Sequence, residues 1–387
     1  MSKKQITGLF ICSLTIWTLG NGLLPLLPVY AKQLGAKSAE TGYYMSFIYF
    51  AIAASTVTAG WLSDKLQRRK MLLLLAGVLI IPSTLLLGQV PTFGYLIVLT
   101  AVLWFLGGMG LTLVSILAGM FAEKSQRGKV FGTLALTGAL GSLIGGLTTG
   151  PIADWYGYPT MFTVLAIGMV LLPLAALVLE DRPVTQAPPG QASVVRDQPE
   201  LGNKFFLFVT ASILIGIVTF SGILGISLTM IGQSFASTAI ASTQVIGGAV
   251  ALPIPPIVGW LSDRIGRKRL LALSYLMGTL MLLILAWSIS IWHFWLVAVL
   301  RSALFYANNG LGQALVTDLV AKESLARGIA LFNATAWIGG ILGFGTAGYA
   351  IQNLGLVSTF VIGSFLPPIA IILLVPIRQA KPVETLG

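Results

Sequence analysis

Twelve times along the chain, a run of roughly 20 mostly apolar residues separates one polar or Gly/Pro-rich cluster from the next, the length an α-helix needs to cross the hydrocarbon core of a bilayer. The runs fall at 6–31, 40–62, 70–89, 93–121, 128–151, 159–179, 204–231, 238–261, 270–289, 292–320, 328–352 and 356–377. Backbone polar groups in lipid must be satisfied inside the chain, so these runs are expected to be helices and the protein an all-α membrane protein. Composition agrees: 56% of residues are hydrophobic and 9% charged, with a mean hydropathy of +0.91. A soluble enzyme or nucleic-acid-binding protein needs far more surface charge, and a single cysteine, Cys12, allows no internal disulfide.

The net charge of +11 is explained by where the cations lie. If the N-terminus is cytoplasmic, alternate connections place 20 of the 23 Lys and Arg on that side, around Lys3, Lys65–Lys70, Lys124–Lys129, Arg182–Lys204, Arg264–Arg269, Lys322–Arg327 and Arg378. The opposite side holds Lys32 and Lys37, and Arg301 lies within a span. This bias predicts both termini in the cytoplasm and removes the need for a nucleic-acid partner. The first run, preceded by Lys3 and Lys4, resembles a signal peptide but is longer and is followed by eleven more spans, so it is expected to be retained.

Residues 181–203 carry Pro183, Pro188, Pro189 and Pro199 among Gln, Ser and charged side chains, the composition of a linker. It divides the chain into an N-terminal six-span bundle, 1–180, and a C-terminal one, 204–387. The halves echo one another. Gly60-Trp-Leu-Ser-Asp64 and Gly259-Trp-Leu-Ser-Asp263 are identical at an offset of 199, each leading to basic residues that include Arg68 and Arg267. Glu123-x-x-x-Arg127-Gly128 matches Glu323-x-x-x-Arg327-Gly328 at an offset of 200, and Gly157 to Phe162 weakly matches Gly355 to Phe360. Ordered matches at nearly one offset point to duplication. Physically, Gly60 and Gly259 are expected to let helix ends approach closely, and Asp64 and Asp263 to cap a helix or pair with a cation.

The loop after the second span resembles the signature G-x-L-x-D-R-x-G-R-K/R of the major facilitator superfamily, which the second copy fits fully. The first copy has Lys65 and Gln67 where the family has Arg and Gly. The resemblance covers essentially the whole chain and implies twelve transmembrane helices in two pseudo-symmetric six-helix bundles. It also implies alternating access, with the two loops acting as a cytoplasmic latch; simple anchoring of the loops by charge is the other reading. Glu123, Arg127, Glu323, Arg327 and Asp318 are candidate latch partners, or exposed pairs of little consequence. Because Gln67 replaces a residue suited to positive φ, the N-terminal latch is expected to be the weaker.

A substrate site near the midplane is marked by groups that are costly in lipid. Arg301 lies ~12 Å of helix rise inside His293 and the Trp292 and Trp295 pair, with Phe305 and Asn308 on nearly the same face and Asn309 beside it. It is either an anion ligand or a brace that bonds backbone carbonyls. Further candidates are Trp17 and Asn21 beside Pro25 and Pro28, Trp104, Thr219, Gln244, Asn333 and Trp337; each is also readable as packing. The Pro25–Pro28 stretch and the glycines of span 5 resemble elements of drug-exporting members, with Thr137 and Ser142 departing from the pattern and Trp104 where many drug/proton antiporters have Arg. Spans 1–9 carry no acid beyond Glu40 at an edge, so proton coupling is not visible, and His293 reads as an interfacial anchor.

No nucleophile elbow, P-loop or metal-ligand cluster appears, so neither an enzyme nor a cofactor is expected. The leading expectation is a secondary transporter in a bacterial inner membrane, monomeric, exporting amphipathic small molecules, with protons or another ion as possible coupling partners. The alternatives are a carrier of organic anions or polar metabolites that uses Arg301, and a receptor that has kept the fold and lost transport.

Overall fold

A computed structural model describes residues 2–122, 127–181, 201–321 and 324–377, without the side chains of Arg127, Gly128, Asp263 and Ala326. Every regular element among them is a helix. Among the described residues nine helices are long and apolar enough to cross a bilayer, and a tenth arises if one pair bent by 44° counts as a single span.

The chain forms two compact units, Met1–Thr185 with Ile226–Ala249, and Gln186–Gly225 with Val250–Gly387. The first contains α1 (Lys3–Leu23), α2 (Leu27–Gln33), α3 (Ser38–Leu66), α4 (Arg69–Leu87), α5 (Phe93–Phe121), α6 (Arg127–Met169), α7 (Leu171–Leu177), the end of α8 (Asn203–Gly232) and most of α9 (Ser237–Ala251). The second contains most of α8, then α10 (Ile254–Ile265), α11 (Arg267–Ala286), α12 (Ile291–Leu319), α13 (Leu325–Leu354), α14 (Leu356–Gly363) and α15 (Leu366–Leu374).

Several expected continuous spans are broken, each at residues that cannot sustain a helix. The first run divides into α1 and α2 at Leu24–Leu26, next to Pro25 and Pro28, and the run 238–261 bends between α9 and α10 at Pro253. Proline removes an amide donor and crowds the preceding turn. The carbonyl of Pro25 is taken up by the Ser227 hydroxyl, 2.9 Å away within the first unit. Helix α6 runs through the expected loop at 152–158 but turns at Gly157, where φ is 81° and ψ 167°.

That angle exposes the duplication in the backbone itself. Gly355, at an offset of 198 from Gly157, has the same φ and ψ, a region open essentially to glycine alone. The other positive-φ residues pair at an offset of 199: Gly35 with Ser234 and Gln67 with Gly266. Gln67 adopts left-handed φ 51°, ψ 21°, whereas Gly266 takes φ 89°, ψ 142°. The first loop therefore accepts a non-glycine residue by choosing a different turn, in which Gln67 Nε2 donates to the Asp64 carbonyl and Oε1 accepts from Arg69.

Each unit is built on a close helix crossing lined by small residues, the device that brings backbones together without side chains between them. In the first, α1 crosses α6: a Cβ placed on Gly141 would lie 2.7 Å from the Trp17 backbone, and one on Gly145 2.6 Å from the Thr18 carbonyl oxygen. In the second, α8 crosses α13 at Gly216, Gly339 and Gly343 in the corresponding places. Hydroxyls tie the first crossing. Ser13 Oγ and Thr137 Oγ1 are 2.7 Å apart, and Asn21 Nδ2 donates to Ser142 Oγ at 2.8 Å and to the Gly138 carbonyl at 3.0 Å. Thr137 and Ser142, which depart from the drug-exporter pattern, thus serve as interhelical bonds.

Candidate functional site

The sequence candidates separate between the units. Trp17, Asn21, Trp104 and Gln244 belong to the first; Thr219, Arg301, Phe305, Asn308, Asn309, Asn333 and Trp337 belong to the second. In the first unit the amide nitrogen of Asn21 is committed to α6, as described, Trp17 lies along the same crossing, and Trp104 and Gln244 are buried.

In the second unit four candidates come together. Thr219 from α8 and Phe305, Asn308 and Asn309 from α12 line one small cavity with Ser212, Phe220 and Thr335. Its free volume is about 10 Å³, room for about one water molecule. Two of its polar groups are held by bonds within their own helices: Thr219 Oγ1 donates to the Ile215 carbonyl at 2.8 Å, and Asn309 Nδ2 to the Phe305 carbonyl at 3.0 Å. Across helices, the Tyr275 hydroxyl of α11 donates to Asn308 Oδ1 at 2.9 Å. Hydroxyls bonded back to their own helix keep lone pairs for a ligand, and two phenyl rings supply apolar surface. The niche carries no carboxylate. Arg301 is partly buried one turn before Phe305 on α12 and is an electrostatic neighbour of Tyr306. Of the two α13 candidates Asn333 is exposed and Trp337 partly buried, and neither lines the niche.

Sequence reasoning missed Ser212 and Thr335. Serine and threonine within apolar runs usually bond their own helix, so only tertiary placement distinguishes those that border a cavity.

The expected latch residues divide as well. Glu123 and Glu323 lie outside the described residues, as do the side chains of Arg127 and Asp263. Asp64, Arg68 and Arg327 are exposed. Gly60 and Gly259 do not serve close approach, contrary to expectation: a Cβ on either meets nothing within 4 Å, because their helix faces are open at these ends. Arg267 is joined to Asp318, its Nη1 donating to both carboxylate oxygens at 2.8 and 2.9 Å and to the Ala314 carbonyl at 3.1 Å. This pair links α11 to α12 within the second unit.

The duplicated loop also carries a feature that neither spacing nor motif suggested. Lys65 Nζ lies 4.8 Å from the centroid of Trp61, and the Arg264 guanidinium 4.0 Å from that of Trp260. Both tryptophans are more than half exposed, so each half displays a cation stacked on an indole one helical turn away, the arrangement favoured at a membrane–water boundary. At the other edge of the second unit, Trp292 and Trp295 pack edge to face, and His293 Nδ1 accepts from the Ser290 amide at 3.2 Å, capping α12. His293 therefore has a structural task. Glu40 has one too, accepting from the Lys37 amide at the start of α3.

Comparison with known proteins follows the same architecture. A family model described as Major Facilitator Superfamily matches residues 9–252 and, separately, 201–387. The Multidrug resistance protein MdtG of Salmonella choleraesuis is 27% identical over 315 residues, covering 78% of this chain and 76% of that protein; its counterpart in Salmonella arizonae matches to the same extent. Among solved structures, the nucleoside transporter NupG superposes with a TM-score of 0.79 at 15% identity, over 97% of this chain and 100% of that one. A POT family transporter bound to 5-aminolevulinic acid gives 0.76 at 16%, over 96% and 95%.

Proposed function

The chain belongs to the major facilitator superfamily, and we propose that it is a secondary transporter that exports amphipathic small molecules by alternating access. The observation that carries this reading is the niche of Thr219, Phe305, Asn308 and Asn309, which joins phenyl rings to neutral hydrogen-bonding groups and holds no fixed charge. At about 10 Å³ the niche as it stands admits a water and no substrate; it marks neutral polar groups and rings against which an apolar body with a few polar atoms would rest once the site opens in another state of the cycle. Similarity to a protein named for multidrug resistance, over most of both chains, points the same way. Trp17, Trp104, Gln244, Asn333 and Trp337 are proposed as outer contributors to a larger site, with Asn21 as a fixed part of its scaffold.

Twelve spans are supported by dividing the 49-residue apolar stretch Lys129–Leu177 at Gly157, and by counting α12, whose 29 residues would span the core although Arg301 and its two asparagines lower its hydropathy. The bias of Lys and Arg supports cytoplasmic termini in a bacterial inner membrane. The halves 1–180 and 204–387 would then be the two moving bundles, joined by the linker at 181–203. Asp64, Arg68, Arg127, Glu123, Asp263, Arg267, Asp318, Glu323 and Arg327 are proposed to govern the cytoplasmic side.

A second reading, transport of an organic anion, rests on Arg301 one turn from the niche. Thermal unfolding of the purified protein and of Arg301→Ala, against matched panels of lipophilic cations, neutral amphiphiles and organic anions, separates the two. Efflux of amphiphiles predicts stabilisation by cations or neutral compounds that survives the substitution. Stabilisation by anions alone, lost in the variant, would overturn it in favour of the anion carrier.

A further inference from the structure

The sequence places its latch on the cytoplasmic side, yet a helix junction closed by three short hydrogen bonds lies at the opposite end of the first unit. Asp154, in the connection between the expected spans 5 and 6, reaches the N-terminus of α9. Its Oδ1 accepts from the Ser237 amide at 2.9 Å, and its Oδ2 from the Thr238 amide at 2.7 Å and the Thr238 hydroxyl at 2.6 Å. The first amides of a helix have no partner within it and carry the positive end of its dipole, so a carboxylate from elsewhere is a favourable occupant. Here one side chain takes two of them and a hydroxyl.

The neighbouring contacts extend the junction in both directions. Outward of it, the Tyr158 hydroxyl lies 3.4 Å from Ser237 Oγ, and the Tyr158 ring stacks on Tyr30 of α2 with centroids 4.7 Å apart. Inward runs a seam of glycines between α6 and α9. A Cβ on Gly150 would lie 2.7 Å from Thr238 Cα and Ala241 Cβ, one on Gly146 2.7 Å from Val245 Cγ2, and one on Gly248 2.7 Å from Ser142 Cβ. Positions 142, 146 and 150 share one face of α6, so the two helices are in backbone contact over about two turns, ending at Asp154. Burial alone would push the Asp154 carboxyl up, but the hydrogen bonds from Thr238 and Ser237 outweigh it and hold the group below the usual carboxylate range. It is therefore charged at neutral pH.

We propose that Asp154 is the outer latch of the transport cycle, its carboxylate fastening the start of α9 to the end of α6 while the outer side is shut and releasing it when that side opens. The inference rests on the alternating-access reading above. Helix α9 comes from the second half of the sequence and α6 from the first, so any opening of the outer side between the halves must part this seam. The seam itself is lined largely by glycines in close backbone approach. Asp154 supplies the directional contact: three short hydrogen bonds that break together when α9 moves away. It acts as a positioning residue and needs no contact with substrate.

The test uses the full chain with Cys12→Ala and a reporter at Val245→Cys, within the seam, in right-side-out membrane vesicles treated with a membrane-impermeant maleimide. Asp154→Ala is expected to label about tenfold faster than the parent, Asp154→Asn by less, and Asp154→Glu, which keeps the charge, close to the parent rate. Should Asp154→Ala fail to accumulate, Asp154→Asn carries the comparison. Equal rates in all four proteins overturn the proposal. So does labelling of native Cys12, fully buried in α1, in an Asp154→Ala protein with Val245 intact, because that would make Asp154 a brace for the whole unit. No substrate enters the assay, so a failure of the efflux reading would show in the ligand screen and leave this result standing.

Discussion

Gly145→Ala, compared with Gly60→Ala, tests whether the glycines of this chain serve packing where the structure says they do. A Cβ on Gly145 would lie 2.6 Å from the Thr18 carbonyl oxygen, 2.7 Å from the Gly22 nitrogen and 2.8 Å from the Gly22 Cα. All three are backbone atoms, so no side chain can rotate away, and α1 must retreat from α6 by roughly 1 Å to restore ordinary carbon contact distances near 3.5 Å. Overpacking of this kind costs about 1–3 kcal/mol, and alanine returns about 0.5–1 kcal/mol through its better helix propensity. The net expectation is a loss of about 1–2 kcal/mol. At Gly60 nothing lies within 4 Å of the added carbon, so only the propensity gain remains, about 0.5–1 kcal/mol of stabilisation. Unfolding of both variants by heat and by denaturant in one detergent, followed by tryptophan fluorescence, reads the difference. If Gly145→Ala unfolds at or above the wild-type midpoint, or Gly60→Ala is the less stable of the two, the packing argument is wrong. A Gly60→Ala protein that is stable but impaired in transport would place a close approach at Gly60 in another state of the cycle.

Three further predictions concern polar contacts. Gln5 is 2% exposed and grips the backbone of Glu180, accepting from its amide at 2.8 Å and donating to its carbonyl at 3.3 Å; Gln5→Ala should cost about 1–3 kcal/mol in the same unfolding assay, and no change would mean that the end of the first half is anchored by other contacts. The Arg267–Asp318 pair is more than one-third exposed at both ends, so a double-mutant cycle should give a coupling of ~0–1 kcal/mol that shrinks in high salt; a large, salt-insensitive coupling would contradict that. A carboxyl held below its unfolded value contributes at pH above that value, near 3.9, and loses its contribution as pH falls through the lower folded one. With Tyr158 as the facing titratable neighbour, the labelling rate at Val245→Cys, divided by that of a freely exposed cysteine in the same buffer to remove the pH dependence of thiolate formation, should thus stay flat from about pH 5 to 8 and rise only in stronger acid; a rise of this ratio as pH falls through 6–7 would show another group in control.

The helical class and the duplication were legible in the sequence because they depend on local, additive properties. Apolar runs of membrane length dictate helices, and repeated motifs survive as letters; the matched angles at Gly157 and Gly355 are that repeat written in the backbone. The glycines of span 5 were also readable as packing surface. Which partner each would meet was not. Gly60 and Gly145 look alike in a sequence, and one faces open space while the other touches a neighbouring backbone. Asp154 sits in a polar connection where an acid attracts no notice, and its significance arises only because residues 237 and 238, over 80 positions away, present their amides to it. Likewise Ser212, Thr219, Thr335 and the asparagines of α12 become one niche only when α8, α12 and α13 are packed together. Periodicity and composition act along the chain, and so the sequence by itself determined the class of element and the repeat. Contacts between distant segments depend on how helices cross, which only the tertiary structure decides.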